Sequence, residues 1–236
     1  MYVLLINLIF KSIMRLAIVF LLITLALCEN WAVLVAGSHT WSNYRHQADV
    51  YHAYQVLIKG GYDPNRIITL AYDDIAHHFT NPFKGKIFNH PTYKDPGVDV
   101  YEGVKIDYSK GDVTPEVFEA VLEGNKAFVA KKGTGRVLES TSADNVFIFF
   151  SDHGAPGLIA FPTKTLYADH LIATFAKMQG KYNKLVFYLE VRECLYRLVS
   201  QVQCSKNYQT IPKFMLSQLL IPLNLLGAAT AHQTML

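Results

Sequence analysis

The chain has 236 residues, 51% of them hydrophobic, and a formal charge of +3. That is enough length and apolar content for one sizeable α/β core, whereas the small, scattered positive charge excludes the basic footprint of a nucleic-acid binder. Three cysteines, Cys28, Cys194 and Cys204, cannot build a disulfide framework.

Residues 1–28 read as a signal peptide. Arg15 precedes the apolar stretch Leu16 to Leu27, and Ala26-Leu27-Cys28 is a small-x-small pattern of the kind signal peptidase accepts. Met14-Arg15 gives the usual basic opening, which makes Met14 a candidate true start. A signal anchor is the alternative, built from both apolar runs but interrupted by Asn7, Lys11 and Arg15. The expected destination is the secretory pathway, with no stable membrane span after signal removal.

Beyond it, Trp31 to Gly37 is a short apolar run closed by a glycine, the pattern of a central parallel strand. His46 to Lys59 carries Val50, Ala53, Tyr54 and Leu57 at helical spacing, with Gly60-Gly61 as the stop. Ile67 to Tyr72 is the next strand, with Asp73-Asp74 at its exit, so a βαβ unit and a parallel sheet are expected. Phe79 to Ser109 lacks periodicity and reads as a long irregular excursion. Thr114-Pro115-Glu116 opens a helix that runs to Leu122 and stops at Gly124. A strand ending at Phe150, a helix from about Tyr167 to Met178, and a strand from Lys184 to Glu190 complete the predicted order.

The chemistry gathers at strand ends. Ser151-Asp152-His153-Gly154 follows the apolar run Asn145 to Phe150, which places His153 on a loop at the carboxyl edge of the sheet. The strand ending at Glu190 should finish beside it, because a right-handed βαβ connection makes the two strands neighbours. A histidine on one end and a thiol on the other would form a nucleophile-base dyad, with the Gly154 N–H to hold an oxyanion. On pattern alone His153 is as readily a packed structural residue. Asn43-Tyr44-Arg45-His46 lies at the same edge, where Arg45 could fork onto a polar substrate group, although a solvated helix start is the simpler reading. No metal or cofactor constellation is visible: His77 and His78 are adjacent in a loop without further ligands.

Taken in order, Val35-Ala36-Gly37-Ser38, Asn43-Tyr44-Arg45-His46-Gln47-Ala48-Asp49, His52-Ala53-Tyr54-Gln55, Tyr72-Asp73-Asp74-Ile75-Ala76, Val98-Asp99-Val100-Tyr101-Glu102-Gly103-Val104, Asp112-Val113-Thr114-Pro115 and Ser151-Asp152-His153-Gly154 resemble the legumain family. These are C13-type cysteine peptidases, asparaginyl endopeptidases of the secretory and lysosomal or vacuolar compartments. The resemblance implies a caspase-like α/β fold, a mostly parallel central sheet flanked by helices and here truncated after the fourth core strand. It implies that His153 is the catalytic histidine, Gly154 an oxyanion donor and Asn43 the residue that orients His153. It also implies that Arg45, His46 and Glu190 line the pocket for a substrate asparagine. A neutral amide needs both donors and acceptors, and Arg45 with Glu190 supplies one of each. The expected partner is a peptide or protein with asparagine at the cleavage site. The related catalytic subunit of GPI transamidase shares the histidine motif, but the His46-Gln47-Ala48-Asp49 wording fits legumain better.

The family pattern then breaks. It continues after the glutamate as Ala-Cys-Glu-Ser, whereas this chain reads Glu190-Val191-Arg192-Glu193-Cys194, with Arg192 in the nucleophile position. Arginine cannot be deprotonated and cannot attack a carbonyl, and Cys194 stands about 6 to 7 Å further along an extended chain. A chain so built is expected to be inactive, or a pseudoenzyme that still binds asparagine-containing peptides. Residues 191–236 also lack the earlier turn chemistry, Phe214 to Leu226 being nearly all apolar. With each codon shifted to its third base and the next two, Ser217 through Pro222 permits Thr-Ala-Ala-Asn-Pro, and Leu223 through Ala229 permits Glu-Ser-Ser-Trp-Gly-Cys, a legumain-like run. Valine codons begin with GT, so an intron retained from Val191 to about residue 206, followed by an out-of-frame remainder, explains both features. A genuine divergent helix is the alternative, and so continuous an apolar run would need burial or a membrane.

Overall fold

The computed structural model describes Lys11, residues 28–89 and residues 97–191. The remainder of the expected signal segment and everything from Arg192 on, Cys194 included, lie outside the described residues. The core is a four-stranded parallel sheet made by β1 (Asn30–Ala36), β2 (Ile67–Ala71), β3 (Asn145–Asp152) and β7 (Lys184–Val191), in the order β2-β1-β3-β7. Residues 32–36 of β1 are wholly buried, as a central strand covered on both faces must be.

Alternation along the strands sorts the core into two layers. Ala32, Leu34 and Ala36 face the helix α1 (Tyr44–Lys59), which brings Ala48, Val50, Tyr51 and Tyr54. Val33 and Val35, with Ile148 and Phe150 of β3, face the opposite layer, where α2 (Pro115–Glu123) supplies Val117, Phe118 and Val121. A short helix α3 (Lys126–Val129) follows α2. Thr114 caps α2 by accepting from the Val117 N–H, and Gly124 ends it at φ +71°, where a Cβ would be strained.

The irregular excursion predicted after β2 is stitched back onto that strand. The Asp107 and Tyr108 amides both donate to the Thr69 carbonyl, and the Ala71 amide donates to the Tyr108 carbonyl. The buried Asp107 carboxylate also pairs with Arg136 at 2.9 Å, and that guanidinium reaches the Ile67 carbonyl at 3.1 Å. A buried carboxylate with this many donors avoids the cost of an unpaired charge.

One element was not foreseen. Directly after His153 the chain folds into a small antiparallel sheet of β4 (Gly154–Ala155), β5 (Leu158–Ala160) and β6 (Thr165–Tyr167) before α4 (Ala168–Lys177) returns to β7. Strands of two or three residues are too short for their alternation to be read. The turn that makes them is legible afterwards: Pro156-Gly157, with Gly157 at φ +85°.

The chain order reverses between β1 and β3, since β1 leads to β2 on one side while β3 and β7 lie on the other. In open α/β sheets a crevice forms at the carboxyl ends of the strands flanking such a reversal. Gly37 closes β1 at this point, with its N–H on the Ser151 carbonyl at 3.1 Å. A Cβ on Gly37 would stand 2.5 Å from Asp152 Oδ2 and 2.7 Å from the Ala160 carbonyl oxygen. Gly37→Ala should therefore lower the unfolding free energy by about 1–3 kcal/mol in urea titration. Unchanged stability would show that the strand ends do not meet so closely.

Candidate active site

At the crevice, the loop after β1 and the end of β3 place two imidazoles against each other. His153 is exposed and hydrogen bonds through Nε2 to Asn43 Oδ1 at 2.8 Å. Asn43, the last residue of the 3-10 turn Trp41–Asn43, donates its own Nδ2 to the His39 carbonyl at 2.9 Å. That donation fixes which end of the amide faces the histidine. Because Asn43 presents an oxygen, His153 Nε2 must carry a proton, and in the neutral ring Nδ1 then carries the lone pair.

His46 lies beneath. It is 3% exposed, its Nδ1 is 2.6 Å from Ser38 Oγ, and its ring stands edge-on to that of His153 with centroids 4.9 Å apart. Asp152 Oδ1 is 3.2 Å from the same nitrogen but without a hydrogen bond of its own, so Ser38 is the partner that holds the ring. Burial is the main force lowering the His46 pKa, with Arg45 adding to it and the Asp152 carboxylate opposing it. The expected pocket residue is thus a neutral, buried ring that supports His153 from below.

The other side of the crevice is acidic. Glu190 pairs in register with Ser151, one residue before Asp152, so its side chain belongs to the same sheet edge as His153. Burial raises its pKa to about 7, Asp49 adds to the rise, and Arg45 opposes it. Asp49 is itself raised, mainly by burial, against a 2.6 Å hydrogen bond from Asn89 and the charge of Arg45. Arg45 thus acts electrostatically on both carboxylates, and a mixed cluster of charges with shifted protonation is what a site that receives a polar group commonly shows. Gly154 starts β4 where β7 passes closely: a Cβ there would lie 3.1 Å from that of Val191.

The donor atoms of His46, Asp152 and His153 all lie within 4.8 Å of one another, a cluster the sequence reading missed because residue 46 is so distant in the chain. A transition metal could use such donors. It would have to displace the Ser38 and Asn43 hydrogen bonds to take the nitrogens they hold.

The sheet order, and the histidine at its carboxyl edge, define a caspase-like α/β protein. Residues 30–195 match the family model described as the Peptidase C13 family, and the chain belongs to that family, the legumain family of peptidases. It is 51% identical to the Hemoglobinase of Schistosoma japonicum, over 70% of this chain and 37% of the relative. It is 47% identical to the Legumain of Rattus norvegicus, over 70% of this chain and 38% of the relative. With the Vacuolar-processing enzyme of Citrus sinensis the identity is 51%, over 70% of this chain and 33% of the relative. The chain thus spans little more than a third of the length of the curated relatives it matches. Among the described residues no helix is long and apolar enough to cross a membrane.

The raised Glu190 pKa has a thermodynamic consequence. The folded state binds this proton more tightly than the unfolded state, so the contribution to stability is full below about pH 4.5. It is lost as pH rises through about 7. Glu190→Gln should flatten that decline and raise the midpoint at pH 8 by about 2–4 °C, the shift that 1 kcal/mol produces in a chain of this size. A parallel pH profile for both proteins in thermal scans would rule the burial argument out.

Proposed function

We propose that this chain carries the substrate-binding and base-supplying half of a legumain-like cysteine endopeptidase that hydrolyses peptide bonds after asparagine, without the nucleophile. The observation that carries the reading is the 2.8 Å hydrogen bond from His153 to Asn43. It commits Nε2 to Asn43, and Nδ1 is the atom proposed to take a thiol proton. On thiolate attack the carbonyl π electrons move to oxygen, and the Gly154 N–H is the proposed donor to that oxyanion. His153 would then return the proton to the leaving amine. Arg45 and Glu190 are the proposed donor and acceptor for the substrate amide, and the burial of His46 makes it a support for that wall.

Arg192 occupies the position of the nucleophile, so the base has nothing to activate and the chain is inactive or nearly so. The same chemistry favours a second reading, a pseudoenzyme, since amide recognition by Arg45 and Glu190 needs no thiol. The signal segment of residues 1–28 supports entry to the secretory pathway, and the relative named a vacuolar-processing enzyme supports a lysosomal, vacuolar or secreted location. The domain assigned to residues 29–190 ends where a retained intron would begin. Sequencing the transcript across the Glu190 codon tests this: a splice product that skips residues 191 to about 206 is expected, and continuous coding without one sinks it.

The purified chain should leave an asparaginyl peptide uncut while binding it in calorimetry. Arg45→Ala should weaken that binding about tenfold or more, the worth of a hydrogen bond to a charged group. Cleavage at rates typical of the family, abolished by Cys194→Ser, would overturn the assignment.

A further inference from the structure

Asn43 can orient His153 only if the loop that carries it is held, and that loop is strained. Thr40 sits at φ +76°, ψ 155°, a region that only glycine enters at little cost. Asp73, on the facing strand exit, stands at φ +60°. Between the two lies Asp74. Its Oδ2 accepts from the Thr40 N–H at 2.7 Å, and its Oδ1 accepts from Gln47 Nε2 at 2.7 Å. Gln47 is 1% exposed and in turn accepts from the fully buried Tyr51 hydroxyl at 3.2 Å. A chain of hydrogen bonds therefore runs from the core of α1 through Asp74 to the strained backbone of Thr40. The strained turn aims two carbonyls at Asn43: the Thr40 carbonyl receives its N–H at 3.0 Å, and the His39 carbonyl receives its side-chain amide at 2.9 Å.

We propose that Asp74 is a positioning residue for His153, acting through Thr40 and Asn43 to hold the imidazole in the tautomer with the proton on Nε2. Charge-assisted hydrogen bonds are about twice as strong as neutral ones, enough to offset the cost of one strained residue. Without the carboxylate, Thr40 relaxes, both carbonyls turn away, and the Asn43 amide loses the contact that keeps its oxygen toward His153. This inference rests on the reading of His153 as the base, but it is tested on the ring itself and not on peptide cleavage. Its failure is therefore separable from failure of the proposed function.

The test is long-range 1H–15N NMR of the His153 ring in the full chain, above its titration range, with thermal melting recorded alongside. Asp74→Ala should lower the ratio of Nε2–H to Nδ1–H tautomer about fivefold, what one net hydrogen bond is worth. Asp74→Asn, which keeps the volume but only one of the two acceptors, should move the ratio in the same direction and serves if the alanine variant does not fold. Thr40→Gly alone should leave the tautomer unchanged. Added to Asp74→Ala, it should restore part of the wild-type ratio, because glycine enters that backbone region without strain. A tautomer ratio that stays at its wild-type value in the Asp74 variants while the melting temperature falls would make Asp74 merely structural and overturn the proposal.

Discussion

The hydrogen bond between His153 and Asn43 joins residues 110 apart in sequence, and nearly every feature of the crevice serves it. It requires the ends of β1 and β3 to arrive at the same level. The ladder from Asn30–Asn145 to Ala36–Ser151 sets that level, and the Gly37 N–H on the Ser151 carbonyl extends it by one residue. The absence of a side chain at Gly37 lets the Asp152 carboxylate come within 2.5 Å of where a Cβ would be. Any bulk there would push the histidine loop outward and break the bond to Asn43. The site is thus a product of strand register first and of side-chain chemistry second.

Much of this was legible because the sheet is parallel and buried. Strands such as Ala32 to Ala36 have no polar face, so they read as continuous apolar runs, and Gly60, Gly124 and Pro115 punctuate the helices between them. Parallel strands linked through helices put their carboxyl ends on one edge, and this is why His153, Asn43, Arg45 and Glu190 could be assigned to a common edge before any coordinates. The small sheet β4-β5-β6 was not legible, its strands being shorter than any period. Nor was the buried role of His46. Its neighbours in sequence suggested a residue facing substrate, whereas Ser38 and the His153 ring, contacts made only by tertiary packing, draw it inward. The strain at Thr40 left no trace in composition, because a threonine there gives no sign of positive φ.

Two kinds of electrostatic work divide the crevice. Around His153 stand the His46 ring, its pKa lowered mainly by burial, the Asn43 amide and the buried Asp152 carboxylate. Around Arg45 lie two carboxyls held above their usual range mainly by burial, Glu190 with a further rise from Asp49. A proton-accepting ring benefits from the first setting, and recognition of a polar side chain from the second. The two proposed functions are therefore physically separable: the donors and acceptors around Arg45 do not depend on a thiol beside His153.

The central claim is that the base is in place and only its sulfur partner is lacking. Arg192→Cys introduces that sulfur, and its alkylation rate by iodoacetamide at pH 6, measured with and without His153→Ala, tests the claim directly. A thiol paired with His153 should react about tenfold or more faster than an ordinary thiol, and should lose that advantage in the double variant. A rate equal to that of a free cysteine, and indifferent to His153, would contradict it.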